Sequence, residues 1–198
     1  MATAAFAFWS TDTVKAHIGA TTAGKDAVLE RLANAVSLTF ERRCRRRFVE
    51  REEVELLDGN GTTRILLPEY PVTELAGIRI YRYVGQETPD TVTLGAGAHR
   101  LIAARGEVHL ASDRFTVGAG NVEVTYTAGY FAKDAGHESD AAQVYQAGLD
   151  LVQLLFQEQA TGGLGMSNLT IGPMGFAIKP EWPKHIHQAF ADWKRVRL

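Results

Sequence analysis

Cysteine is almost missing from this sequence, since Cys44 is alone among 198 residues. One thiol cannot close an internal disulfide or build a cysteine zinc or iron–sulfur site within one chain, so synthesis in a reducing cytoplasm is expected. Long hydrophobic runs are missing too. Residues 1–9 are apolar but lack a basic flank and are too short to span a bilayer, which predicts neither signal peptide nor membrane anchor. Nor does either charge dominate: 21 Lys and Arg face 23 Asp and Glu, for a formal net charge of -2. Such a balance excludes a surface that is nucleic-acid footprint throughout, and any contact of that kind must be local. No internal repeat is visible. With 45% hydrophobic and 22% charged residues, the chain reads as one ordinary globular domain over 1–198.

Catalytic signatures are equally scarce. Gly19-Ala20-Thr21-Thr22-Ala23-Gly24-Lys25-Asp26 matches a phosphate-binding loop except at Asp26, where a hydroxyl should ligate magnesium and a carboxylate would repel phosphate. No buried hydrophobic strand precedes it, so a helix-initiating loop is the better reading. His185 and His187 cannot share a helical face at a spacing of two, and neither has a carboxylate or third histidine at metal-ligand spacing. His17, His99, His109 and His137 are scattered, without a serine or cysteine in a nucleophile motif. The acids Glu50, Glu52, Glu53, Glu55 and Asp58 lie along a strand pattern, where alternate side chains face solvent and charges are usually only solvated. The expectation is no catalytic residue, no cofactor and no metal.

What is present is patterning. Val28, Leu32, Val36, Phe40, Cys44 and Phe48 recur every four residues, which predicts a helix from about 24 to 47 with one apolar stripe. Ser10 to Thr13 offer N-caps for a shorter helix that Gly19 would stop. From Val49 the period becomes two, and Asp58-Gly59-Asn60-Gly61 signals a hairpin flanked by strands. Further strands are expected at 78–84, 92–94, 101–102, 108–110 and 122–126. Ser139 or Asp140 can cap a second core helix over 139–161, with Val144, Leu151, Val152 and Leu155 facing inward. Pro183 can begin a last helix with Ile186, Phe190 and Trp193 on one face. The resulting class is α+β: a small helical bundle whose two packed helices are separated in sequence by a β-rich insertion, 49–130, forming an antiparallel sheet or small barrel.

Two features point to contacts with other molecules. The segment 162–178 is rich in glycine yet carries Met166, Leu169, Ile171, Met174 and Phe176, with Trp182 close behind, which is too apolar for a solvated linker. Together with the last helix it is the expected interface, mobile until assembly covers it. Between Gly24 and Phe48, seven basic residues (Lys25, Arg31, Arg42, Arg43, Arg45, Arg46, Arg47) meet three acids, whereas Glu50 to Asp58 holds five acids and one arginine. A favourable helix C-terminus, a protein–protein contact in which Glu52 and Glu53 are candidate partners, and a phosphate contact all suit arginine here.

The order of these signals resembles the phage head-tail connector (adaptor) family. The residues concerned are Phe40-Glu41-Arg42-Arg43-Cys44-Arg45-Arg46-Arg47-Phe48, Leu57-Asp58-Gly59-Asn60-Gly61, Leu67-Pro68-Glu69-Tyr70-Pro71-Val72-Thr73, and Asn121 to Tyr130 followed by an amphipathic helix. The resemblance spans about 26 to 159 and departs from smaller, mostly helical members in its β-rich insert and its long segment after 162. It implies a structural, non-enzymatic subunit of the virion neck, made in the host cytoplasm. The subunit would form a homo-oligomeric ring under the portal protein, extend the channel through which packaged DNA passes, and dock stopper or tail proteins.

Overall fold

A computed structural model of the chain describes residues 3–19, 23–81, 91–93, 97–160, 168–171, 174–177 and 182–195. Contacts divide it into two units, 1–48 with 131–198, and 49–130. The class is α+β, as the patterning implies.

The first unit holds four helices. α1 (Thr11–Ile18) begins at Ser10, whose hydroxyl accepts from the Thr13 N–H, and ends at Gly19 in the left-handed region. α2 (Asp26–Cys44) packs on α3 (Ala142–Ala160), and α4 (Lys184–Trp193) packs on both. The buried face of α2 is Leu29, Ala33, Val36, Ser37, Phe40 and Cys44, so the predicted stripe is displaced: Val28 and Leu32 are only half-buried. A helix turns every 3.6 residues, so a row drawn at a strict spacing of four drifts off the core. The segment before α1 fills the centre. Phe8 and Trp9 are fully buried, their rings 5.0 Å apart, and Phe8 also meets Phe40, Phe48 and Phe131. The Ser37 hydroxyl donates to the Ala33 carbonyl and accepts from the Phe8 N–H, so both of these buried groups are satisfied, whereas Trp9 Nε1 is buried without a partner among the described residues.

Tyr145 of α3 closes this aromatic cluster and donates to the Asp134 carbonyl at 3.2 Å. Burial, and secondarily the Asp134 charge, push its phenol up to about 12. The unfolded chain releases this proton near pH 10. The raised value therefore contributes stability that is whole below about pH 10 and is lost as pH rises through the folded value. Denaturant titrations across the alkaline range should give Tyr145→Phe a shallower loss of stability than the parent. Parallel curves would contradict the assignment.

The second unit is two antiparallel sheets, in the orders β1-β7-β3-β4 and β2-β6-β5. Their strands are β1 (Arg51–Gly59), β2 (Arg64–Leu66), β3 (Val72–Tyr81), β4 (Thr91–Thr93), β5 (His99–Ile102), β6 (Glu107–Leu110) and β7 (Gly118–Ala128). Ile65, Val108, Leu110 and Phe115 share one core with Ile78, Ile80, Val122, Val124 and Tyr126. The predicted hairpin does not form. β1 pairs with β7 and β2 with β6, so the strands beside Asp58-Gly59-Asn60-Gly61 belong to different sheets. Asn60 instead accepts from the Thr62 N–H, a local turn that redirects the chain, and the loop bonds to Phe115 through Gly61 and Thr62.

In the segment 162–178, β8 (Asn168–Ile171) and β9 (Met174–Ala177) pair as antiparallel strands. Met166 lies outside the described residues, as do the side chains of Leu169, Ile171, Met174 and Phe176. No described helix is long and apolar enough to cross a membrane.

Candidate functional site

The arginine run is less helical than its sequence suggests. α2 stops at Cys44, Arg45 takes φ 55°, and the Arg46 N–H bonds to the Glu41 carbonyl. Groups from far along the chain then satisfy this end: the Arg195 N–H donates to the Cys44 carbonyl and Arg46 Nε donates to the Trp193 carbonyl at 3.0 Å. Arg43 lies over the rings of Trp182 and Phe190, at 4.7 and 5.1 Å. Arg46, Arg47 and Arg43 are thus engaged within the chain. Arg42 and Arg45 are exposed and have no polar partner among the described residues. Trp182, expected at an interface, is partly covered by Arg43, His187 and Phe190 of its own unit.

The acidic strand β1 splits by parity. Its pairing with β7, and that of β7 with β3, sets side chains in rows across the sheet. One face carries Glu53 beside Tyr126 and Leu75, and Glu55 beside Val124 and Ile78; this face turns to the core. The Tyr126 hydroxyl donates to Glu55 at 2.9 Å, and burial together with this bond holds the phenol well above its usual range. The opposite face has three rows: Glu52, Thr127 and Glu74; Val54, Thr125 and Gly77; Leu56, Glu123 and Arg79. Val54 and Leu56 are each 62% exposed. At the β3 irregularity between Leu75 and Gly77, where Gly77 brings no side chain, lies a groove of about 260 Å³ lined by Ala76, Arg79, Glu123 and Thr125. At its edge Arg79 pairs with Glu123 at 3.1 Å.

Expected chemistry elsewhere has structural partners. Of the loop that resembles a phosphate cradle, 20–22 lie outside the described residues; Lys25 sits over the Phe156 ring at 5.1 Å, and Asp26 pairs with Lys15 at 2.6 Å. Sequence reasoning missed one constellation. His185 meets Asp150 at 3.0 Å, and His17 Nε2 lies 3.3 Å from the other Asp150 oxygen without hydrogen-bond geometry. Three helices contribute to it, so no local spacing could reveal it. Among the described residues no group of three or more ligating side chains could hold a metal ion.

The family model of the head completion protein matches residues 7–191. None of the curated proteins matches the chain. Two solved structures have a similar fold. One is the neck of an empty gene transfer agent particle computed with C6 symmetry, with 20% identity, 95% of this chain and 90% of that chain covered, and a TM-score of 0.62. The other is the neck of a native particle computed with C12 symmetry, with 20% identity, coverage of 95% and 89%, and a TM-score of 0.61.

Proposed function

The chain belongs to the head completion protein family, and from that premise we propose that it is a structural subunit of the virion neck of a tailed-phage-type particle. It repeats as a ring under the portal protein, extends the channel for packaged DNA and offers a seat to stopper or tail proteins. Its work is binding rather than catalysis. The observation that carries this reading is that the likeness to particle necks runs through both units, over 95% of the chain. The site chemistry agrees: it offers a mixed apolar and acidic sheet face and two exposed arginines without a polar partner among the described residues, which are materials of recognition. Lys25, which a nucleotide-dependent packaging enzyme would need, lies over the Phe156 ring, and Asp26, paired with Lys15, stands where such an enzyme would need a hydroxyl.

Particles assembled without this chain should accumulate as filled heads lacking tails, and adding the purified chain should restore complete particles with a ring in the averaged neck density. Complete particles formed without it would overturn the proposal.

A further inference from the structure

We propose that the outer face of the β1-β7-β3 sheet seats a second copy of this chain, which presents the Arg42 and Arg45 end of its α2. The inference rests on the ring reading and names the contact that closes the ring.

Register fixes which side chains of β1 meet solvent. A slip of β1 by one residue would bury Val54 and Leu56 and expose Glu53 and Glu55. The strand takes the opposite arrangement and leaves both apolar side chains 62% exposed. It is pinned there by Leu57 against the core, by the Tyr126 bond to Glu55, and by the Gly59 N–H donating to Asn121 at 2.8 Å. The exposed pair is thus a product of the fold. Beside it the groove at Gly77 offers depth for an inserted side chain.

Charge selects the occupant. Glu52 and Glu74 flank the apolar row, are exposed, and have no polar partner among the described residues; Arg79 is already paired with Glu123. Such a face repels nucleic acid and suits a cation with an apolar stem. Arginine has both, and its fork matches a carboxylate. In the same chain, Arg42 and Arg45 are the members of the run without a polar partner among the described residues. Arg45 adopts φ 55°, a conformation glycine would take more easily, so the position keeps its long cationic side chain against a backbone preference. Two different, complementary surfaces on one chain make a heterologous interface, the kind that closes into a ring.

The test uses particles made in cells lacking the native gene copy, with this full chain supplied in variant form and its amount per purified particle measured. Arg42→Glu with Arg45→Glu, and separately Glu52→Lys with Glu74→Lys, should each lower incorporation by about tenfold or more, as loss of a desolvated charge pair does. The four-site variant, with both signs exchanged, should recover to within about threefold of the parent. Circular dichroism and melting of each purified variant should match the parent, because all four positions are exposed. Normal incorporation of either double variant overturns the inference, including the case in which only DNA retention suffers, which would assign the arginines to phosphate. Failure of the four-site variant to recover also overturns it. The ring reading fails separately, if the parent chain itself is absent from the necks of purified particles.

Discussion

Phe40→Asp yields a chain that does not fold cooperatively. Phe40 is fully buried, its ring stacked on Phe190 at 4.3 Å and 6.2 Å from Phe8. Removing such a ring costs about 3 to 5 kcal/mol by itself, and an unpaired carboxylate in its place costs several more. The sum rivals the entire stability of a typical domain, about 5 to 15 kcal/mol. Leu32→Asp is the informative companion. Leu32 lies on the same stripe drawn at a spacing of four but is only half-buried, so its carboxylate can reach water and the protein should still melt in one transition. Far-UV circular dichroism with urea titration of both variants decides the matter. A soluble Phe40→Asp protein with parental melting would show that the α2 face is wrongly drawn.

Local chemistry was legible in the sequence at the caps of α1 and the start of α4, though not at the turn of Asp58 to Gly61. Ser10 and Gly19 cap α1, and Pro183 precedes α4, because caps depend on the residues beside them. The strand segments of the insertion were partly legible from their period of two, and the α+β class followed, whereas β8, β9 and the first half of β3 were not read as strands. The limits are those of distance. The residue types near Cys44 do not say that α2 stops there, since Arg45 takes the left-handed cap that glycine would favour, and the Arg195 N–H that satisfies the Cys44 carbonyl comes from far along the chain. Phe8 and Trp9 read as an unassigned apolar terminus, since their partners Phe48, Phe131 and Tyr145 are scattered along the chain. For the candidate site, the contrast between arginines and acids was visible, but its sorting was not. Which glutamates face outward is decided by the register of β1 against β7, and which arginines stay unpaired is decided by Trp182, Phe190 and Trp193.

Gly59 is the position where this difference has the largest measurable consequence for the sheets. In the sequence it looks like a turn glycine chosen for positive φ, but that conformation belongs to Gly61, at 73°. Gly59 is instead a glycine for want of space. A Cβ there would lie 1.8 Å from the Thr116 carbonyl oxygen and 2.8 Å from Asn121 Oδ1. The same Asn121, 2% exposed, accepts from the Gly59 N–H at 2.8 Å and donates to the Thr116 carbonyl at 2.7 Å, holding the register shift at the end of β1. Gly59→Ala must therefore move backbone rather than a flexible side chain. Overpacking of this kind costs about 1 to 3 kcal/mol. If the shift also breaks the two Asn121 bonds, each buried group left unsatisfied adds about 1 to 3 kcal/mol. We expect a total loss of roughly 3 to 5 kcal/mol, toward the upper range for a single substitution. A cycle with Asn121→Ala separates the two costs. Truncating Asn121 removes the 2.8 Å clash but leaves the Thr116 carbonyl where it is, so Gly59→Ala should remain destabilising by more than about 1 kcal/mol in that background, less than in the parent. Denaturant unfolding of the four proteins, with hydrogen exchange of β7 amides as the local reading, measures it. A Gly59→Ala protein within about 0.5 kcal/mol of the parent, the range of ordinary surface changes, would mean that the chain can relax at Thr116 and that this corner does not pin β1.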